Sequence, residues 1–527
     1  MYNIDTSVDK PDKERLKARV EKMMSNGVKI RDISALKEQF NSTLESMKVE
    51  IREKYGIINP NSNKQIAEYL QYISNEVPIG EKNDIIDTCY IDDKWVCDKA
   101  VLNKLSLLGY EFADDMMFYR AAKKSAETVN SLSSAMDSNG LIHPEVHLSK
   151  TNRINYRNPG LMTVQKGLLR YVIGPRVEGD VLYSVDIKNQ EPAILINAIG
   201  EEALIEALKS KEGLYDTLYK FVFKPCVKMN MMYNTFMEDR IYNVEEIRAS
   251  RFVSPALYMP AKVPCMSWYI NGKRIVATET ICQGTSLTGE AGIEYPSEVR
   301  VQTSDGDVIS VPVEWERVKA PSLDKDYVIN GYLPTVEIRM SKQERKEFKT
   351  SFLAITYGSS SMGIEQGCKI IDGKLVYDRI TKLPKMKEYR EKCGKAAKQG
   401  RQSLYTTFGT LVSADKYGGT AELKRSLLSI PIQGTGADIL DLLVNRFQKE
   451  SVKKFKGDGI SAFVYYTRHD ELIIEVSKEA YEKFGDADIK QWLSDTLTHQ
   501  IDNWVPFMVE VEQIEQGNIE ELLIEEE

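Results

Sequence analysis

Histidine is scarce in this chain, with four among 527 residues. That leaves little scope for a metal site built on imidazole. Cysteine is scarce as well: seven residues, an odd number, scattered without paired spacing. Such usage fits a reducing cytosol, hence an expected cytoplasmic location, and argues against a disulfide framework or a zinc cluster. No apolar run approaches the ~18 residues of a membrane-spanning helix. The polar start, MYNIDTSVDKPDKERLK, lacks the apolar core of a secretory signal, so no membrane partner is expected. Internal repeats and low-complexity linkers are missing. So is any excess of positive charge, the formal net charge being −8. That is a weak veto on nucleic acid, because an electrostatic footprint is local and acidic metal ligands can be flanked by Lys and Arg.

What is present is a hydrophobic content of 42% and a charged content of 28%, the balance of a soluble globular protein with two to four domains or subdomains. Residues 11–54 read as two amphipathic helices separated by Asn26-Gly27. Residues 64–76, 98–108 and 113–136 also read as helix. Residues 139–148 read as strand and turn, and Ser149 to Gly160 as a long polar loop whose Lys and Arg side chains suit phosphates. Asp180 to Ile187 is a mostly apolar strand with Asp186 near its end, either a ligand position or a helix N-cap. Helices follow at 189–199 and 201–208. From about 225 to 337 the texture is short strands and turns, including hairpins around Asn271-Gly272 and Asp305-Gly306. No chemistry is visible in that block. Residues 341–357 return to helix, with Arg345, Lys349, Leu353 and Tyr357 four apart on one slowly drifting face. Two cations and an aromatic on one stripe can grip a polyphosphate and stack on a base. A basic helix follows at 384–402. Ser429 to Asp438 opens a long helix to about Phe447, and a strand (507–511) with an acidic tail ends the chain.

The stretch Tyr465 to Val476, YYTRHDELIIEV, reads as a hairpin: two apolar runs with Arg468, His469, Asp470 and Glu471 between them. Its tip presents two carboxylates together, which suits an oxygen-ligated divalent metal such as Mg²⁺. The plain alternative is a solvated turn between edge strands.

In order, VDIKNQEPAILINAIG (185–200), RKEFKTSFLAITYG (345–358), PIQGTGAD (431–438) and HDE (469–471) resemble the motifs of a family A DNA polymerase, the class of the large fragment of bacterial DNA polymerase I. TNRINYRNPGLMTV (151–164) stands where that family has its Thr-Gly-Arg loop, and INPNSNKQIAEYL (58–70) resembles part of its thumb. The resemblance covers nearly the whole chain except 225–337. The fold it implies is α+β: a right-hand polymerase with an antiparallel palm sheet, helical fingers and thumb, and a β-rich subdomain inserted in the fingers. The expected divisions are an N-terminal helical segment (1–56) packing on palm and thumb, the thumb (57–138), a first part of the palm (139–215), the fingers (216–404, containing the 225–337 insertion) and a second part of the palm (405–527). The resemblance further implies two Mg²⁺ ions held by Asp186, Asp470 and the backbone carbonyl of Ile187, with Glu471 an auxiliary acid. It implies dNTP contacts from Arg345, Lys349, Tyr357, Leu353 and Glu191, the last as a steric gate against a ribose 2′-hydroxyl. It places Arg153, Arg170, Arg425, Gln433 and His469 along the primer-template duplex near the primer end.

The sequence also departs from that pattern. Ile187-Lys188 replaces Tyr-Ser after the first acid, Leu353 replaces an aromatic, and Phe408-Gly409-Thr410-Leu411 lacks the family's basic run. No acidic exonuclease cluster precedes the thumb-like region, so no 3′→5′ proofreading is expected. That lack, with the insertion, suggests a phage or mobile-element replicase. The insertion is expected to project from the fingers and contact DNA or a replication partner; a monomer is expected. Two other readings compete: a single-subunit-type RNA polymerase, and a catalytically inactive polymerase-like DNA-binding module.

Overall fold

Four strands build the sheet on which the acidic residues lie, in the order Ala462–Arg468, Glu471–Val476, Val181–Ile187, Val509–Gln513, each antiparallel to its neighbour. The computed structural model describes residues 1–515 apart from 77–84, 87, 92–93, 233–267, 279–280, 285–294, 317–326, 369, 415–418 and 458. Parts of the 225–337 block and the acidic tail beyond 515 lie outside the described residues. The chain divides into two compact units, Met1–Ala198 with Cys393–Glu527, and Ile199–Lys392; the expected fingers had been bounded at 216 and 404.

In the first unit the strand Val181–Ile187 is flanked on both sides. Most of its residues are buried, including consecutive ones, which explains an apolar run where a one-faced strand would alternate. The register sets Glu471 opposite Asp186 on one flank and Glu510 opposite it on the other. Asp186 therefore sits on the strand, four residues before the helix Gln190–Ile199 begins, and does not cap it. The hairpin slips register between Val464 and Tyr466, as a bulge does. The Tyr465 hydroxyl then donates to Gly174 O at 2.9 Å and accepts from Lys29 N at 2.5 Å, which ties the hairpin to the small sheet of Val28–Ile30 and Ile173–Gly174.

The helix Thr420–Lys454 packs against this sheet. It starts nine residues before Ser429 and carries Pro431 inside it, which corrects the reading of that segment as a helix start. A proline here removes the amide that would bond the carbonyl of Leu427. The Cys393 thiol donates to that carbonyl at 3.7 Å instead. By length and composition alone this helix could cross a membrane, yet 83% of its most apolar window is buried within the protein; it is a core helix. Gly434 and Gly436 allow the close approach: a Cβ on Gly434 would lie 2.6 Å from Val412 Cγ1, and one on Gly436 2.8 Å from Gln190 Oε1.

Two further readings are corrected. The polar stretch Ser149 to Gly160 is a turn followed by the strand Ile154–Arg157, paired with Glu145–Leu148; its buried Ile154 and Tyr156 alternate with exposed Asn155 and Arg157. A strand, Val28–Ile30, follows Asn26-Gly27, too short to show a period. The helices Lys13–Ser25 and Ser34–Tyr55 flank it as expected. One hydrophobic cluster joins Ile51, Leu70, Leu105, Phe112 and Met116, so residues on either side of position 56 share a core.

In the second unit the block 225–337 is β-rich in its described part, with a four-stranded and a five-stranded sheet, both expected hairpins and its own core, including Trp268, Ile275, Val301 and Val311. Its ends meet: Cys226 lies opposite Tyr332, and Leu333 N donates to Pro225 O at 3.1 Å. A block that leaves and returns at one place can be accommodated without disturbing the helices around it. The helix Lys342–Thr356 opens with a capping box, Ser341 and Glu344. Its buried Phe348 and Phe352 pack on Tyr219, Phe223 and Tyr215.

Candidate active site

The hairpin tip carries Asp470 to the end of the strand bearing Asp186. The amide of Ile187 donates to the carbonyl of Asp470 at 3.3 Å. Two acids 284 positions apart in the chain are thus neighbours across adjacent strands. His469, at the turn, has φ 53°, a left-handed conformation that His tolerates better than most residues. Burial, then repulsion by Asp186, pushes the Asp470 carboxyl up to about 6; Arg153 opposes the shift. Partial burial lowers the His469 imidazole, helped by the charges of Arg153 and Arg468.

Glu471 is turned away from open solvent. Its Oε1 accepts from the Ser184 hydroxyl and its Oε2 from Arg468 Nη1 at 3.5 Å. Arg468 also donates to Val164 O at 2.6 Å. The sequence reading missed Ser184 and placed Arg468 only in the hairpin turn, without this role. The signal for Ser184 was available: it precedes Asp186 by two on a strand and so shares its face. Arg153 pairs with Glu191, whose carboxyl is raised to about 7 by burial and then by Asp470.

The other expected site residues fall elsewhere. Arg425 is exposed and Gln433 half-buried on the helix Thr420–Lys454. Arg170 lies on the helix Lys166–Val172, its guanidinium 5.3 Å from the Tyr171 ring centre. Arg345, Lys349, Leu353 and Tyr357 lie in the other unit, where the two cations are exposed and Leu353 and Tyr357 half-buried. Arg345 Nε donates to Asp216 at 3.0 Å, and Lys349 Nζ is 5.5 Å from the Tyr215 ring centre. Asp216 and Tyr215 were not foreseen, since nothing local links them to a helix some 130 residues on. Among the described residues the buried Tyr357 hydroxyl has no hydrogen-bond partner.

Among the described residues no cluster of three or more His, Cys, Asp or Glu is arranged to hold a metal ion. The donor set at Asp186 and Asp470 still fits Mg²⁺, which takes one or two carboxylates and completes its shell with water and phosphate oxygens. Burial and the Asp186 carboxylate both push Asp470 up, and a bound cation would favour its charged form.

The model of DNA polymerase family A matches residues 31–232 and 333–516, leaving out most of the β-rich block. DNA polymerase I of Aquifex aeolicus (strain VF5) is 29% identical over 199 residues, 34% of this chain and 33% of that protein. The aligned part thus spans about a third of that relative's length. The POL domain of Pol1 from M. smegmatis, solved in complex with DNA primer-template and dNTP, matches with a TM-score of 0.61 at 16% identity, over 95% of this chain and 69% of that one. At that identity the likeness is one of fold, and the fold is that of a polymerase domain. The family match runs through the Asp186 strand, the Lys349 helix and the Asp470 hairpin and takes in well over half the chain: the protein belongs to DNA polymerase family A.

Proposed function

We propose that the chain carries out template-directed 5′→3′ DNA synthesis, transferring nucleotides from dNTPs to a primer 3′-hydroxyl. The observation that carries this reading is the Ile187–Asp470 backbone bond, which makes neighbours of two aspartates at one sheet end. Asp186, Asp470 and the Ile187 carbonyl would hold two Mg²⁺ ions. When bound, such a pair supplies positive charge at the attacking hydroxyl and at the leaving pyrophosphate. Glu471, fixed by Ser184 and Arg468, keeps the hairpin tip in register and adds to the negative field there. Glu191 stands as the gate against a ribose 2′-hydroxyl, rejecting it by clash. Arg345 and Lys349 exchange Asp216 and Tyr215 for the triphosphate, and Tyr357 meets the templating base beside Leu353. Arg153, Arg170, Arg425, Gln433 and His469 line the primer-template duplex, reading pair geometry more than sequence.

In this reading the sheet is the palm, the helices between 57 and 138 the thumb, and the second unit the fingers with their insertion, which contacts DNA or a replication partner. The chain works as a cytoplasmic monomer. In this reading residues 1–527 carry no 3′→5′ exonuclease, a point that mismatched 3′ ends test directly. Extension of a primed template with Mg²⁺ tests the reading, with dNTPs against rNTPs and with matched against mismatched 3′ ends. Extension by dNTPs alone, with no excision of the mismatch, is expected. Preference for rNTPs would make the chain an RNA polymerase, and no extension at all would leave a DNA-binding module.

A further inference from the structure

We infer that Arg153 sets sugar selectivity by holding the Glu191 carboxylate in place, a positioning role in addition to any contact with the duplex. This rests on the reading of Glu191 as the gate. Arg153 Nη2 is paired with Glu191 Oε1, and the two side chains are only 28% and 22% exposed.

Both partners are anchored at the backbone. The turn before Arg153 is closed at each end: Ser149 N donates to Arg153 O at 2.9 Å, and Arg153 N to Ser149 Oγ at 3.0 Å. Asn152 takes φ 61° inside it, a conformation that asparagine accepts readily. Glu191 lies in the first turn of the helix Gln190–Ile199. The neighbouring Gln190, 3% exposed, is wedged against Gly436. The pair therefore bridges two fixed points, and a guanidinium fork orients a carboxylate where a flexible ammonium would not.

The other charge felt by both groups is Asp470. With Arg153 removed, Glu191 would be left half-buried without its ion-pair partner. It must then swing toward water or take up a proton. Either response changes the wall against which a 2′-hydroxyl is judged.

The test measures kcat and KM with a dNTP and with the matching rNTP for the parent, Arg153→Ala, Arg153→Lys, Glu191→Ala and the double alanine variant. For two residues in contact, coupling of the usual size corresponds to a ~10-fold fall in the deoxy-to-ribo ratio of kcat/KM for Arg153→Ala. Arg153→Lys should restore only part of it. The double variant should match Glu191→Ala, since Arg153 acts through that carboxylate. If Arg153→Ala slows both sugars alike, with the ratio within about twofold of the parent, while Glu191→Ala shifts it, the inference is overturned and Arg153 only touches the duplex. An unchanged ratio in Glu191→Ala sinks the gate itself. Should Arg153→Ala not fold, Arg153→Lys and Arg153→Gln decide by the same ratio.

Discussion

Replacing Asp438 by asparagine should stabilise the protein at about pH 8 and do nothing at about pH 4 or below. Asp438 is 4% exposed in the middle of the helix Thr420–Lys454. Thr406 Oγ1 donates to its Oδ2 at 2.6 Å. Burial raises its carboxyl from 3.8 to about 6, and Asp441 adds to the shift while the hydrogen bonds from Thr406 and Thr410 oppose it. The folded protein therefore keeps a proton that the unfolded chain has shed. The stability from that proton is fully present below about pH 4 and is lost as pH rises through about 6. A shift of about two units sets a ceiling of roughly 3 kcal/mol, at ~1.4 kcal/mol per unit. Local relaxation lowers that, and a gain of about 1–2 kcal/mol in Asp438→Asn is expected. Asparagine still offers Thr406 an acceptor, so little else is lost. Urea unfolding of parent and variant at the two pH values reads the difference. A variant less stable than the parent at about pH 8, or a gain equal at both, would refute the reasoning.

Asp186→Asn or Asp470→Asn should cost several orders of magnitude in rate with DNA binding retained; a loss below ~10-fold, about 1.4 kcal/mol, would contradict their role as metal ligands. Arg15→Ala strips the main partner of Asp441, which also accepts from Asp12 N at 2.9 Å. Removing one partner of a fully buried ion pair costs about 3–5 kcal/mol. Here Arg15 is 34% exposed and Arg19 stays 3.9 Å from the same carboxylate, so a loss of about 1–3 kcal/mol in urea unfolding is expected. A two-residue Asn-Gly turn in place of residues 228–330 should leave the rest folded, because Val227 and Gly331, which the turn would join, already lie opposite each other. Unchanged DNA affinity, processivity and strand displacement in that variant would remove the proposed contact of the insertion with DNA or a partner.

Much of the framework was legible locally. The strand with Asp186, the hairpin with Asp470 and the helix with Lys349 announced themselves by an apolar run, a polar tetrad between two such runs, and side chains four apart. The misreadings have definite causes. Pro431 looked like a helix start because nothing in the sequence tells that Cys393 takes the carbonyl it leaves free. The 149–160 stretch looked like loop because its alternation, Ile154 and Tyr156 inward, spans only four residues. The bulge at Tyr465 left no trace, since its purpose lies in Gly174 and Lys29, hundreds of residues away.

The order of residues by itself settled which groups could do chemistry: the acids, the cationic stripe and the glycines of 434–436 are facts of covalent structure, and their local patterns follow from backbone periodicity. Which of them touch was decided only by the folded chain. Glu471 on Ser184, Arg153 on Glu191 and Arg345 on Asp216 join positions 38 to 287 residues apart, and a pairing at that range depends on strand register and helix packing, which no local pattern encodes.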